Sequence, residues 1–150
     1  MALEKRISEL TAKSGAIEDT DLMVISDYNG STYDTKKVTG AQINPYKIYL
    51  ANISQTSTSA PTVNYSYSEL SGTLTFARSS IGTYTITNSV ADFTAIKTFV
   101  LLQMGIGAGV GFYQMQFVST TQINLYTFDY LGAAADSLLS NSCLEIKIIK

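Results

Sequence analysis

Residues 46–150 offer five carboxylates, one cysteine and a glycine-rich heptapeptide as material for chemistry. The carboxylates are Glu69, Asp92, Asp129, Asp136 and Glu145. No histidine occurs anywhere in the chain. That removes serine–histidine and cysteine–histidine nucleophile pairs and the commonest zinc ligand. Glycoside cleavage, as in a polysaccharide depolymerase, needs two carboxyl groups roughly 5–10 Å apart. The five here are scattered along the chain. Glu145 reads as a solvent-facing strand residue, and Asp92 and Asp136 read as turn formers. The run Gly105-Ile106-Gly107-Ala108-Gly109-Val110-Gly111 has no following Gly-Lys-Ser/Thr and no G-x-G-x-x-G spacing, so it is no phosphate cradle. It reads instead as a hairpin tip or as a close backbone contact at a subunit axis. Asp19-x-Asp21 lacks the rest of a calcium loop and reads as a turn before a strand. The expectation is therefore no catalytic residue, no cofactor and no metal. Cys143 is the only cysteine, so no intrachain disulfide forms; in a late apolar strand it is expected to be a small buried residue.

The ten tyrosines are a different kind of resource. Tyr65, Tyr67, Tyr84, Tyr113, Tyr126 and Tyr130 fall on or near extended segments. Such side chains stack on sugars, fill protein interfaces, or pack inside a β core. Tyr113, Tyr126 and Tyr130 are the candidates for contact with a glycan.

These side chains must be positioned by strands. Lys47 to Gln55 alternates, with Tyr49, Ala51 and Ile53 on one face and Ile48, Leu50 and Asn52 on the other. Val63, Tyr65 and Tyr67 alternate with Asn64, Ser66 and Ser68. Leu74 and Phe76 do so with threonine and alanine, and Tyr84 and Ile86 with threonine. This is the period of half-buried antiparallel strands. Further strands follow over Phe112 to Val118, Gln122 to Tyr130 and Leu144 to Ile149; in the last, Leu144, Ile146 and Ile148 face in while Glu145 and Lys147 face out. Lys97 to Met104 is apolar on both faces, which in so small a domain points to a second subunit over one of them. The candidate oligomer-interface residues are Phe99, Leu101, Met104, Gly107 and Gly109. The count is about eight strands and almost no helix after residue 46. The fold class is mainly β: an antiparallel β-sandwich or jelly-roll-like domain over 46–150, preceded by a small module over 1–45.

Charge supports that division. Residues 1–45 hold twelve charged side chains and residues 46–150 only ten. The formal net charge of −2 gives no basic field for nucleic acid. The N-terminus has no signal-peptide core and no apolar run is long enough to cross a bilayer, so the expectation is synthesis in a cytoplasm without membrane insertion.

The N-terminal stretch has its own pattern. Ile7 and Leu10 share a face of a helical turn that Ser14-Gly15 ends. Leu22-Met23-Val24-Ile25 is rich in β formers, and Asn29-Gly30 ahead of Thr32 to Val38 is a strong hairpin signal. Thr39 can cap a last helical turn through Gln42 and Ile43. About half a dozen apolar side chains in ~40 residues bury too little to fold alone, so they need an external surface.

The pieces Ile7-Ser8-Glu9-Leu10-Thr11, Asp19-Thr20-Asp21-Leu22, Val24-Ile25-Ser26 and Gly30-x-Thr32-Tyr33-Asp34-Thr35-Lys36-Lys37-Val38-Thr39, with Gln42-Ile43, resemble the N-terminal module of tailed-phage virion appendages: head fibres, tail fibres and decoration proteins. The segments Gly72 to Thr87, Asp136-Ser137-Leu138-Leu139 and Leu144-Glu145-Ile146-Lys147 look like the C-terminal domains of the same proteins. The resemblance implies a non-enzymatic virion protein with a docking module at 1–45. It implies a homotrimer of jelly-roll-like domains, with capsid, neck or tail proteins as partners. Docking would fall to Ile7, Leu10, Asp21, Val24, Ile25, Lys36, Lys37, Val38 and Thr39, with the two lysines near acidic groups of the partner. The alternatives are a receptor- or glycan-binding adhesin for host attachment and a depolymerase.

Overall fold

The computed structural model describes residues 22–28, 30–39, 43–105 and 109–150. The chain divides between Asn44 and Pro45 into two compact units, Met1–Asn44 and Pro45–Lys150. Ile7, Leu10, Asp21 and Gly107 lie outside the described residues, as does most of the helical turn expected after Thr39.

In the first unit, β1 (Leu22–Tyr28) pairs antiparallel with β2 (Tyr33–Thr39). The register runs from Leu22 opposite Thr39 to Tyr28 opposite Tyr33. Gly30 sits in the connection at φ +97°, a conformation that costs any residue with a Cβ.

The second unit holds eight strands: β3 (Tyr46–Ser54), β4 (Thr62–Ser68), β5 (Leu74–Ser80), β6 (Thr83–Asn88), β7 (Thr98–Gln103), β8 (Gly111–Ser119), β9 (Gln122–Asp129) and β10 (Ser142–Ile149). β3, β4, β5, β6 and β10 fall where apolar–polar alternation predicts a strand, β7 falls on the run that is apolar on both faces, and β8 and β9 fall on the two further expected strands. They form two four-stranded antiparallel sheets, ordered β4-β3-β10-β7 and β5-β6-β9-β8. One core joins the two sheets. Tyr49, Ala51, Ile53, Leu102, Leu144, Ile146 and Ile148 come from the first, and Tyr84, Ile86, Ile123 and Leu125 from the second. Phe93 and Leu139, from the connecting segments, close it. The alternation of β10 is as expected, with Leu144, Ile146 and Ile148 buried.

Two expectations are corrected. Cys143 is exposed. It stands between buried Ser142 and Leu144, and a strand turns consecutive side chains to opposite faces, so parity puts the thiol outside. β4 is not half-buried: all seven residues are exposed, because it is an edge strand and carries only serine, Ser68 and Ser66, opposite the buried Tyr49 and Ala51.

Candidate functional site

The five carboxylates of residues 46–150 are each held by specific donors. Asp136 accepts Arg78 Nε at 3.1 Å, Arg78 Nη2 at 2.6 Å, the Gly82 N–H at 3.0 Å and the Tyr84 hydroxyl at 2.9 Å. The arginine fork, then the Gly82 amide and the Tyr84 hydroxyl, outweigh burial and bring its pKa down to about 2. The buried Tyr84 hydroxyl also lies 3.0 Å from Gln55 Oε1, which accepts the Ser137 N–H at 2.5 Å. Burial, and then the Asp136 carboxylate, push the Tyr84 phenol up to about 12. This cluster ties the 130–141 segment to β3, β5 and β6. Sequence reasoning reduced Asp136 to a turn former; the missed signal was a lone arginine in a charge-poor domain, which must find an acid once half-buried.

Asp92 accepts Lys47 Nζ at 3.1 Å, the Ser71 N–H at 2.9 Å and Asn88 Nδ2 at 3.1 Å. Burial works to raise its pKa, but these donors, Lys47 first, hold it below the ordinary carboxylate value. Asp129 Oδ1 accepts the Leu131 and Ala133 N–H groups, each at 2.9 Å. Glu69 accepts the Tyr67 hydroxyl at 2.9 Å, and Glu145 pairs with Lys147 at 2.7 Å. Each carboxylate is thus engaged in a contact that fastens a loop or a strand face. Among the described residues no three metal-ligating side chains gather.

The surfaces are the other resource. Phe99 and Leu101 project outward from β7, 56% and 60% exposed, while Val100 and Leu102 point inward. Strand register continues their rows across the sheet. Leu101 lies beside Glu145, Glu145 beside Leu50 and Leu50 beside Tyr67. Phe99 lies beside Lys147, and Lys147 beside Ile48. Gln103, Cys143, Asn52 and Tyr65 form the next row. A shallow groove runs over this outer face, lined by Leu50, Tyr65, Leu101, Cys143 and Glu145 among others.

Met104 is half-buried and Gly109 exposed. A Cβ at Gly105 would strike the Ser140 and Asn141 carbonyl oxygens, and one at Gly111 the Phe128 carbonyl oxygen. Both close approaches are therefore made within the chain.

The outer face of the second sheet is different in kind. Thr75, Ala77, Thr85 and Thr87 alternate with inward residues, and Gln116, Gln122, Asn124 and Tyr126 continue the rows. A hydrogen-bonded run joins Gln122 Nε2 to Asn124 Oδ1 (3.0 Å), Asn124 Nδ2 to the Tyr126 oxygen (3.1 Å) and the Tyr126 hydroxyl to Gln116 Oε1 (2.7 Å). Of the tyrosines named for sugar contact, Tyr126 lies in this run and Tyr130 is exposed. Tyr113 turns inward instead and packs on the core.

In the hairpin, Ile25 pairs with Lys36 and Val24 with Lys37. Lys36 and Lys37 are exposed, and Val38 and Thr39 half-buried. Consecutive strand residues face opposite sides, so a flat partner surface meets one of these lysines and not both.

No protein-family model, no curated protein and no solved structure matches this chain.

Proposed function

We propose that this chain is a non-enzymatic structural protein of a tailed-phage particle, a head-fibre, tail-fibre or decoration protein. In this reading the 1–45 module docks on the virion and the 46–150 unit is displayed as a homo-oligomer. The observation that carries the reading is the division of the chain. A strand hairpin with charged residues on its return strand precedes a β unit whose inner faces are a closed core and whose outer faces bear few charges. We take the two sheets as a β-sandwich. Hairpins β3–β4, β5–β6 and β8–β9 each stay within one sheet; a jelly-roll-like path and a trimer rest on the resemblance alone. Mass spectrometry of purified particles tests the reading: the protein should be present at a fixed copy number. Recovery only from the lysate, and not from particles, overturns it.

A second reading is favoured by the Gln122–Asn124–Tyr126–Gln116 run. An uncharged array of amides and hydroxyls around a tyrosine suits the hydroxyls of a neutral glycan. Glycan-array binding by the chain, lost in Tyr126→Ala, would support an adhesin function alongside the structural one.

A further inference from the structure

We propose that a second copy of this chain covers the outer face of the β4-β3-β10-β7 sheet, about a two-fold axis that runs across the strands between Glu145 and Lys147. The inference deepens the homo-oligomer part of the function proposed above.

The face is apolar where soluble surfaces are usually polar. Phe99, Leu101 and Leu50 stand on it with between two-fifths and three-fifths of their surface exposed, and Tyr65 and Tyr67 extend it onto the edge strand. The apolar side chains of β7 and β3 flank the Glu145–Lys147 pair on either side, and exposed apolar surface gathered on one face and edged by polar groups marks an interaction site. What selects a second copy is the order of the charges. Glu145 and Lys147 are two residues apart on β10, on the same face, with no other charged residue in their rows across β7, β10 and β3. Two copies related by an in-plane axis between these rows run their strands in opposite directions. The Glu145 row of one copy then meets the Lys147 row of the other. Each copy's Glu145 faces the other's Lys147, and the two internal ion pairs close into a ring of four alternating charges. The flanking residues match as well. Leu101 of one copy meets Phe99 of the other, and Leu50 meets Ile48. Placed parallel instead, the same faces would set glutamate on glutamate and lysine on lysine. Charges buried in an interface need partners, and this register supplies them from the chain itself.

The contact is isologous, so it joins chains in pairs. It takes Phe99 and Leu101 from the candidate oligomer interface, so over this face a pair stands in place of a three-fold contact.

Charge reversal tests it through sedimentation of the full chain across the micromolar range. The wild-type chain should self-associate. Glu145→Lys alone and Lys147→Glu alone should each weaken that association by at least about tenfold, because each sets like charges against each other across the axis. Mixing the two single variants should restore association at wild-type strength, because the reversed charges of one then oppose those of the other. An internal ion pair cannot produce that recovery on mixing. A wild-type chain that stays monomeric throughout the range overturns the proposal. So does association that ignores the reversals or is not recovered on mixing. Both side chains lie outside the core, so the fold should survive. If either reversal unfolds the chain, Leu101→Gln is measured instead, and an unchanged association constant overturns the proposal. Detection in particles is read independently, so failure of this contact leaves the virion reading to stand or fall by its own test.

Discussion

The hydroxyl of Tyr113 on β8 accepts the backbone N–H of Leu102 on β7 at 3.2 Å. β7 is an edge of one sheet and β8 an edge of the other. The bond therefore satisfies a backbone amide of an edge strand with a side chain from the other sheet and ties the two sheets at those strands. An edge N–H left open is a site for unwanted strand pairing. Tyr113→Phe should keep the ring's packing and lose the bond. The expected cost is about 1 kcal/mol in denaturant unfolding, with an unchanged slope of the transition.

Acid should reveal the Asp136 cluster. Its carboxylate titrates at about 2 in the folded chain against an ordinary value of 3.8. A depressed folded pKa contributes stability that is complete above the unfolded value and is lost as pH falls from about 4 through 2. Melting temperature should drop across that window, and Asp136→Asn should flatten much of the drop while lowering stability at neutral pH. Asp92, also held below its ordinary value, should leave a residual slope in that variant. An undiminished slope in Asp136→Asn would show that the cluster is not what acid breaks.

Alkali should act through Tyr84. The phenol is pushed up to about 12 from an ordinary 10.0, so its contribution is complete below pH 10 and is lost as pH rises from about 10 through 12. Tyrosinate absorbance should show a late component that coincides with unfolding. Tyr84→Phe should remove that component and cost roughly 1–2 kcal/mol at neutral pH through the loss of the one hydroxyl proton that lies between Asp136 Oδ1 and Gln55 Oε1.

Most of the strand map was legible because one rule governs it: an element with one covered face alternates with period two. The same rule held the answer for Cys143. Ser142 and Leu144 flank it, and once Leu144 was placed inward the thiol had to be outward. In a strand parity, not an apolar neighbourhood, decides which way a side chain faces. Tyr113 failed for a related reason. Its neighbours Phe112 and Gln114 are the exposed pair, and Met115 shares its inward face. Long-range polar contacts were not legible. The Arg78–Asp136 and Gln55–Ser137 contacts join residues 58 and 82 positions apart, and no local period encodes such a pairing. The face that carries Leu50, Leu101 and Glu145 became visible only when the register aligned three strands.

Gly105 should tolerate no side chain. Its N–H donates to Ser142 Oγ at 3.1 Å, and its Cα faces the carbonyl oxygens of Ser140 and Asn141. A methyl group there meets backbone, which cannot rotate away as a flexible side chain can. Gly105→Ala should cost roughly 1–3 kcal/mol in thermal or denaturant unfolding. Gly109→Ala, where the neighbour is the end of the Leu138 side chain, should cost clearly less. Equal costs at the two positions would mean that the segment shifts as a whole.

Docking should be separable from folding. The hairpin β1–β2 belongs to the 1–44 unit, whereas among the described residues the buried core lies in the 45–150 unit. Changes in the first unit should therefore spare the melting of the second. Leu10 and Ile25 are apolar positions assigned to docking, and Ile25 lies on β1 opposite Lys36. An aspartate at either position would have to be desolvated without a designed partner when the module meets an apolar surface, which costs several kcal/mol. The double change Leu10→Asp/Ile25→Asp should abolish incorporation into particles. Expression, β-sheet circular dichroism, the main melting transition and oligomer mass should match the wild-type chain. Particles that still carry the variant at full copy number would remove these residues from the docking surface. Loss of the main transition would instead make the first unit part of the fold that the second requires, and docking through a separable module would be wrong.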